Sequence, residues 1–184
     1  GMAKETAHQL GTPLSSLMGW QAHLESLKVD PMVTTEMKKD LVRLERITDR
    51  FSKIGSEAKL EKKDISGTIE NNLDYLRARL SNKVELIFHS DLEPTDSVAH
   101  NASLIDWVVE NLCKNAVDAM QGDGKLEVNI YNQKTNIAID FIDSGKGIST
   151  KDQKAIFEPG FSTKKRGWGL GLALVKRIIE EHHS

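Results

Sequence analysis

The chain has 184 residues, of which 39% are hydrophobic and 28% charged, and its formal net charge is −2. This composition is typical of a folded globular protein and excludes a largely disordered chain. The near-zero charge gives no basic surface for nucleic acid, so we expect no nucleic-acid partner. A single cysteine, Cys113, cannot form an internal disulfide, and its helical context predicts a small core residue. Because a single thiol is typical of a reducing compartment, we expect a cytoplasmic location. No apolar run approaches the roughly 20 residues that span a bilayer.

Two amphipathic helices are predicted at the start of the chain. The first covers residues 2–28, and its apolar seam consists of Leu10, Leu14, Leu17 and Leu24, with Gln21 in the remaining position. The dipeptide Asp30-Pro31 predicts a turn, and a second helix follows over about residues 33–58. Two antiparallel helices enclose too little core to be stable alone. We therefore expect a second copy of the chain to complete a four-helix bundle.

The remaining residues have the pattern of an α/β sandwich, which makes the whole chain α+β. The predicted elements are a helix from a Ser66 cap to about Leu80, a strand over 83–90, a helix over 101–120 capped by Asn101, strands over 125–131 and 136–142, and a last helix that begins near Gly169 or Leu170. Residues 149–168 lack periodicity and are rich in Lys, Gly, Ser and Thr. A loop of that length inside a compact domain is usually functional.

A short glycine-containing motif follows the second of the paired strands, with the sequence Asp143-Ser-Gly145-Lys-Gly147. Its two glycines allow the backbone to approach a planar ligand closely. Asp143 can accept a hydrogen bond from an exocyclic amine such as that of adenine. On its own, however, the motif is better explained as a turn that ends a hairpin.

The predicted helix over 101–120 carries two asparagines on one face. Asn111 and Asn115 are four residues apart, with Glu110 and Asp118 beside them. Asparagine is disfavoured in the middle of a helix unless it has a function, so two solvated side chains explain the pattern poorly. Amide oxygens aimed at one place suit Mg²⁺, which shares phosphate oxygens and keeps several waters.

A second set of glycines lies at the start of the last helix. Gly167, Gly169 and Gly171 permit close wrapping of a triphosphate, whose charge the helix N-terminus attracts. The three residues Lys164–Arg166 lie just upstream and can neutralise phosphate oxygens. Any single one of these cations is explained about as well by a solvated loop tip.

Together and in this order, these elements resemble the ATP-binding domain of sensor histidine kinases, with its N, G1, F and G2 boxes. The F box corresponds to IFEPGFSTKK, residues 156–165, and the segment AHQLGTPLSSL, residues 7–17, resembles the H box of the same family. The resemblance covers about residues 4–183. It implies a dimerisation and phosphotransfer hairpin over residues 1–59. It also implies a catalytic domain of the gyrase, Hsp90, histidine kinase and MutL superfamily over residues 60–184.

The resemblance also implies site residues, cofactors and partners. His8 would accept the phosphoryl group, with Gln9 and Thr12 beside it, and the cofactors would be ATP and Mg²⁺. The implied nucleotide-binding residues are Asn111, Asn115, Asp118, Asp143, Gly145, Gly147, Phe157, Lys164, Gly167, Gly169, Leu170 and Gly171, with Asn115 and Asn111 also holding the metal. The implied partners are a second copy of the chain and the receiver domain of a response regulator. A membrane-anchored parent protein, of which this chain would be the cytoplasmic part, is compatible with the resemblance.

Two positions bear on which reaction the chain performs. Gln9 stands where the family usually has an acid, and an amide can accept a hydrogen bond from the imidazole but cannot take up its proton. Asn111 stands where ATPase relatives have a water-activating glutamate, which favours transfer to histidine over hydrolysis. The alternative to a kinase is therefore an ATP-binding dimeric signalling scaffold with weak or no kinase activity.

Overall fold

The computed structural model describes residues 2–55, 59–93, 96–164 and 169–183. Within the first two helices, the side chains of residues 2–9, 43, 46–47 and 49–55 also lie outside the described part. The chain divides into two compact units, Gly1–Ala58 and Lys59–Ser184. The assignment of separate functions to residues 1–59 and 60–184 stays a prediction.

The first unit is an antiparallel pair of helices, α1 (Met2–Ser26) and α2 (Pro31–Gly55). The turn residue Asp30 accepts a hydrogen bond through Oδ1 from the backbone N–H of Met32, at 2.9 Å. Pro31 occupies the first turn, where a missing N–H costs nothing because that group has no intrahelical partner. For this reason α2 begins two residues earlier than the predicted start at Val33.

The predicted seam of α1 has two different environments in the structure. Leu14 and Gln21 are buried, and the Gln21 Nε2 donates to the backbone oxygen of Thr34 in α2, at 3.3 Å. A second apolar stripe is exposed, and it consists of Leu10, Leu17 and Trp20 on α1 and Leu27 directly after the end of this helix. A single hairpin therefore covers only one of the two apolar stripes of its first helix.

Within its described residues, the second unit contains two sheets and three helices. Its elements are β1 (Glu61–Asp64), α3 (Ile65–Arg77), β2 (Val84–Ser90), β3 (Ser97–His100), α4 (Ala102–Ala119), β4 (Gly124–Gln133), β5 (Asn136–Asp143) and α5 (Gly171–His182). The main sheet has the order β2-β4-β5, with β2 parallel to β4 and β5 antiparallel to it. The short strands β1 and β3 form a separate antiparallel pair.

Helices α3 and α4 pack on one face of the main sheet and form the core with it. The buried residues of this core are Ile65, Ile69, Leu73, Leu76, Ile105, Val109, Cys113, Ala116, Met120, Leu126, Val128 and Ile130. Cys113 is fully buried, which confirms its prediction as a core residue, and this burial raises the pKa of its thiol to about 12. No helix within the described ranges is both long and apolar enough to cross a membrane.

The two predicted helix caps had different outcomes. Asn101 precedes α4 and accepts a hydrogen bond from the backbone N–H of Leu104, at 3.1 Å, as predicted. The Ser66 cap is wrong, because α3 begins at Ile65 directly after Asp64, the last residue of β1. The Ser66 hydroxyl lies 2.7 Å from that of Ser90 instead. The end of the preceding strand, rather than a capping side chain, sets the start of α3.

Candidate functional site

Helix α4 carries one face of polar residues opposite its buried face. Asn111, Asn115, Asp118 and Ala119 follow one another at helical spacing and lie outside the core, whereas Cys113 and its buried neighbours hold the helix on the sheet. With a rise of 1.5 Å per residue, this face extends over about 12 Å from residue 111 to residue 119. The packed core thus fixes a row of polar groups along one rigid element.

The glycine-containing turn after β5 lies against the C-terminal end of α4. The backbone N–H of Lys146 donates to the Ala119 carbonyl at 3.3 Å, and Asp143 accepts the Gly145 N–H through Oδ1 at 2.8 Å. A Cβ on Gly145 would lie 2.7 Å from the carbonyl carbon of Ala119, so only glycine fits between the turn and the helix. Gly147 has φ of +69° with open space beside it. Position 145 therefore requires glycine because the turn packs closely on α4, and position 147 favours glycine because its φ is positive.

The middle of α4 is joined to the loop between β5 and α5 by one lysine. The Lys164 Nζ donates to Asn115 Oδ1 at 2.8 Å and to Asp118 Oδ2 at 2.5 Å. About half of each charged side chain is exposed to solvent. Three of the residues expected to bind nucleotide therefore meet in one contact, although 46 residues separate Lys164 from Asp118.

Asn111 is turned toward the start of α5. Its Nδ2 donates to the Trp107 carbonyl at 2.9 Å, and its Oδ1 lies 3.2 Å from the position that a Cβ on Gly171 would occupy. Leu170 immediately precedes α5 and is partly buried. The two asparagines of α4 thus face different parts of the candidate site, Asn111 facing α5 and Asn115 facing Lys164.

The entry to α5 is held by a glycine that the sequence reasoning missed. Gly160 donates its backbone N–H to the Gly169 carbonyl at 2.9 Å, and a Cβ on Gly169 would lie 2.3 Å from the Gly160 carbonyl carbon. Gly160 has φ of +89°. The dipeptide Pro159-Gly160 is a turn signal and could have identified this position. Phe157, in the same loop, is 39% exposed.

Several expected site residues lie outside the described part of the chain. These are Gly167, Lys165 and Arg166, together with the side chains of His8 and Gln9. The backbones of His8 and Gln9 belong to α1, which continues through Pro13, and Thr12 is exposed on that helix. A proline there leaves the carbonyl four residues earlier without its helical donor.

The described residues fit a divalent cation that shares its ligands with phosphate. No three His, Cys, Asp or Glu side chains within these residues form a group that could hold a metal. Asn115 Oδ1 and Asp118 Oδ2 nevertheless converge on one cationic group, the Lys164 ammonium. Oxygen donors of this kind suit Mg²⁺, which is usually bound by one or two protein ligands together with phosphates and waters.

Comparison with known proteins identifies the kind of domain. Residues 100–184 match the family model described as histidine kinase-, DNA gyrase B- and HSP90-like ATPase. The catalytic domain of the histidine kinase ThkA has a similar structure, with a TM-score of 0.62 and 26% identity, over 67% of this chain and 82% of that one. The second unit is therefore an ATP-binding domain of this class.

Curated relatives extend the match over nearly the whole chain. NtrB of Rhodobacter capsulatus, a sensory histidine kinase/phosphatase, is 28% identical over 207 residues, which cover 100% of this chain and 56% of the relative. The sensor histidine kinase ZraS of Escherichia coli K12 is 28% identical over 188 residues, which cover 98% of this chain and 40% of the relative. The chain thus spans about half or less of the length of these relatives. Over nearly its whole length the chain is similar to sensor histidine kinases, and its second unit is similar to their ATP-binding catalytic core.

Two further solved structures share the fold at lower identity. Full-length ShkA in complex with AMPPNP has a TM-score of 0.68 and 22% identity, over 97% of this chain and 40% of that one. ThkA in complex with the response regulator protein TrrA has a TM-score of 0.65 and 23% identity, over 100% of this chain and 55% of that one. At these identities the likeness shows the fold alone.

Proposed function

We propose that this chain is the core of a two-component kinase: it binds ATP and Mg²⁺, phosphorylates His8 and passes the phosphoryl group to an aspartate of a response regulator. The hairpin over residues 1–59 carries the acceptor, and residues 60–184 bind the nucleotide. The observation that carries the proposal is the row of polar groups along α4, which joins the turn after β5, Lys164 and the start of α5. The similarity of the chain to sensor histidine kinases supports the same function.

The nucleotide contacts follow from the order of groups along α4. Asp143 would accept the adenine amine next to Ala119, at one end of the row. Asn115 and Asn111 would hold Mg²⁺ with the phosphates further along the helix, and Lys164 would neutralise phosphate charge. The residues that would shape the remaining cover are Asp118, Gly145, Gly147, Phe157, Gly167, Gly169, Leu170 and Gly171. The bound AMPPNP of ShkA supports an adenine nucleotide as the ligand.

The proposed chemistry asks the protein mainly to align the reactants and to neutralise charge. A neutral imidazole nitrogen of His8 attacks the γ-phosphorus, a nitrogen–phosphorus bond forms, and the bond to the ADP oxygen breaks. Mg²⁺ would supply neutralisation of the phosphate charge. Gln9 can accept a hydrogen bond from the imidazole but cannot take up its proton, which would pass to solvent. Asn111 cannot deprotonate water, and this favours transfer to His8 over hydrolysis.

A homodimer is part of the proposal because of the apolar stripe that one hairpin leaves uncovered. Leu10, Leu17 and Trp20 of α1 and Leu27 directly after its end are between 47% and 63% exposed, and successive members are seven, three and seven residues apart. Such a stripe is the seam that an adjacent helix covers in a bundle. A second copy would cover it and complete four helices.

The partner and location belong to the same proposal. The phosphoryl acceptor would be the receiver domain of a response regulator, and the ThkA complex with TrrA supports this class of partner. The chain would act in the cytoplasm, as the cytoplasmic part of a longer, membrane-anchored sensor. Thr12, one helical turn after His8, would lie at the surface that the receiver domain approaches.

The test is phosphorylation of the purified chain with γ-labelled ATP and Mg²⁺. We expect acid-labile, alkali-stable label that is lost in His8→Gln and kept in the control His23→Gln, on the same helix. ATP binding without label would instead support the scaffold alternative, which Gln9 favours. Phosphate release that persists in His8→Gln would indicate an ATPase and contradict the kinase.

A further inference from the structure

The contact between Lys164 and α4 involves the same oxygen atoms that suit a divalent cation. Asn115 Oδ1 and Asp118 Oδ2 accept hydrogen bonds from one ammonium group, at 2.8 Å and 2.5 Å. An ammonium is a compact cation with three donors and no acceptor. The ammonium nitrogen that donates to both oxygens occupies the space in which a metal ion bound to both would lie, and its positive charge repels such an ion.

We propose that Lys164 and the divalent cation compete for Asn115 and Asp118, so that Lys164 acts as a latch which the metal–nucleotide complex displaces. The proposal rests on the proposed nucleotide binding of the second unit. Asp118 would thus bind the metal ion together with Asn115. The Asn111 side chain is not part of the contact with Lys164, because it donates to the Trp107 carbonyl and faces Gly171.

Charge and exposure make the exchange feasible. The side chains of Lys164 and Asp118 are 44% and 57% exposed, so solvent can replace the contact on either partner. An exposed ion pair contributes little free energy, and its loss is readily offset by a metal ion bound to the same oxygens. Once released, the long side chain of Lys164 remains able to neutralise phosphate oxygens, because its backbone stays in the loop between β5 and α5.

The latch contact can be tested without nucleotide or metal. The side-chain amide signals of Asn115 are identified in a ¹⁵N–¹H spectrum by their loss in Asn115→Asp. We expect Lys164→Gln to shift them, because the Oδ1 loses a charged donor. The matched control is Lys154→Gln, an exposed lysine of the same loop. If both substitutions leave the Asn115 amide equally unchanged, the latch does not form and the proposal is overturned.

Competition is tested by the affinity for Mn²⁺, used as a paramagnetic probe in place of Mg²⁺. Free Mn²⁺ is measured by electron paramagnetic resonance in the absence of nucleotide, so that neither chelation of Mn²⁺ by the nucleotide nor a contact of Lys164 with phosphate enters the measured affinity. We expect Lys164→Gln to tighten Mn²⁺ binding by roughly two- to five-fold, the scale of an exposed ion pair, and Lys154→Gln to leave it unchanged. In Asp118→Asn the gain from Lys164→Gln should shrink.

Two results would contradict competition: equal Mn²⁺ affinity in the Lys164→Gln and Lys154→Gln variants, or weaker binding in the former. Failure of the proposed function is distinguishable, since it would appear as absence of AMPPNP binding or of label on His8. Both of those are measured separately from the Asn115 signals and the Mn²⁺ titration.

Discussion

The two units of the chain differ in how much of their own apolar surface they bury. Among the described residues of the hairpin, the buried side chains are Leu14, Gln21, Thr34 and Leu41, of which two are polar. The second unit encloses a continuous core between α3, α4 and the sheet, with several side chains fully buried. The second unit is therefore expected to be stable as a single copy, whereas the hairpin depends on a partner helix pair.

The largest expected effect concerns the core of the second unit. Leu126 on β4 is 0% exposed, and Leu126→Ala removes buried carbon atoms from a packed interior. We expect the free energy of unfolding of this unit to fall by about 2–5 kcal/mol, the usual range for such a truncation. The measurement is urea unfolding followed by Trp107 fluorescence, with Trp20 and Trp168 replaced by Phe.

The same unfolding curve should not depend on protein concentration, if the second unit is stable alone. The matched control is Leu60→Ala, at a position that is 41% exposed, which should change the free energy of unfolding little. A strong concentration dependence of the Leu126→Ala transition would contradict the contrast between the two units.

The next effect concerns the exposed stripe of α1. Leu17 is 49% exposed, so a second copy could bury roughly half of a side chain whose full burial contributes about 1.5–3 kcal/mol. Because both copies carry the substitution, Leu17→Ala should weaken the dimer by roughly ten- to hundred-fold in dissociation constant. Sedimentation equilibrium measures this, with Leu60→Ala as the control in the other unit. An unchanged dissociation constant would place the dimer contact elsewhere.

Glycine substitutions should have opposite signs in the two units. Gly145→Ala places a Cβ 2.7 Å from the Ala119 backbone, and we expect it to destabilise the second unit by about 1–3 kcal/mol, the range of overpacking. Gly19→Ala, in α1, meets nothing within 4 Å and should stabilise the hairpin by about 0.5–1 kcal/mol. Thermal unfolding by circular dichroism gives both signs. A loss of stability in Gly19→Ala would indicate that the face of α1 near residue 19 is covered.

The sequence predicted those parts of the fold whose pattern is local. The helix α4 and its Asn101 cap, and the strands β4 and β5, follow from helical and alternating periodicity. The strands β1 and β3 were missed because each has only four residues and β1, with the sequence Glu-Lys-Lys-Asp, has no apolar alternation. Their pairing comes from contacts between distant parts of the chain, which periodicity does not contain.

The candidate site was predicted by residue type but not by contact. The motifs identified Asn115, Asp118 and Lys164, yet nothing local indicates that the lysine reaches both side chains across 46 residues or more. Gly145 was expected to approach a ligand, and a Cβ added at this position would lie 2.7 Å from atoms of both Ala119 of α4 and the Asp143 side chain. Such distinctions depend on how the loop packs on the helix, which is tertiary information.

The smallest expected effect is a pH dependence confined to the second unit. His183 accepts the Asn101 backbone N–H through Nε2 at 3.2 Å, and its Nδ1–H donates to the Ile178 carbonyl at 3.1 Å. The neutral ring thereby links the C-terminal end of α5 to the residue that caps α4. Burial lowers the pKa of His183 below its ordinary 6.5, and the nearby His182 and His100 act in the same direction, against the hydrogen bond with Ile178.

Because the folded state binds this proton less readily than the unfolded state, the contribution of His183 is complete above about pH 6.5 and is lost as the pH falls below it. Protonation also removes the Nε2 lone pair that accepts from Asn101. We therefore expect the midpoint of urea unfolding of the second unit to fall between pH 7 and pH 5, and to fall less in His183→Gln. The control His89→Gln, at an exposed position of β2, should keep the wild-type pH dependence. If the His183 and His89 variants show the same pH dependence, then protonation of His183 is not the cause of the loss of stability at low pH.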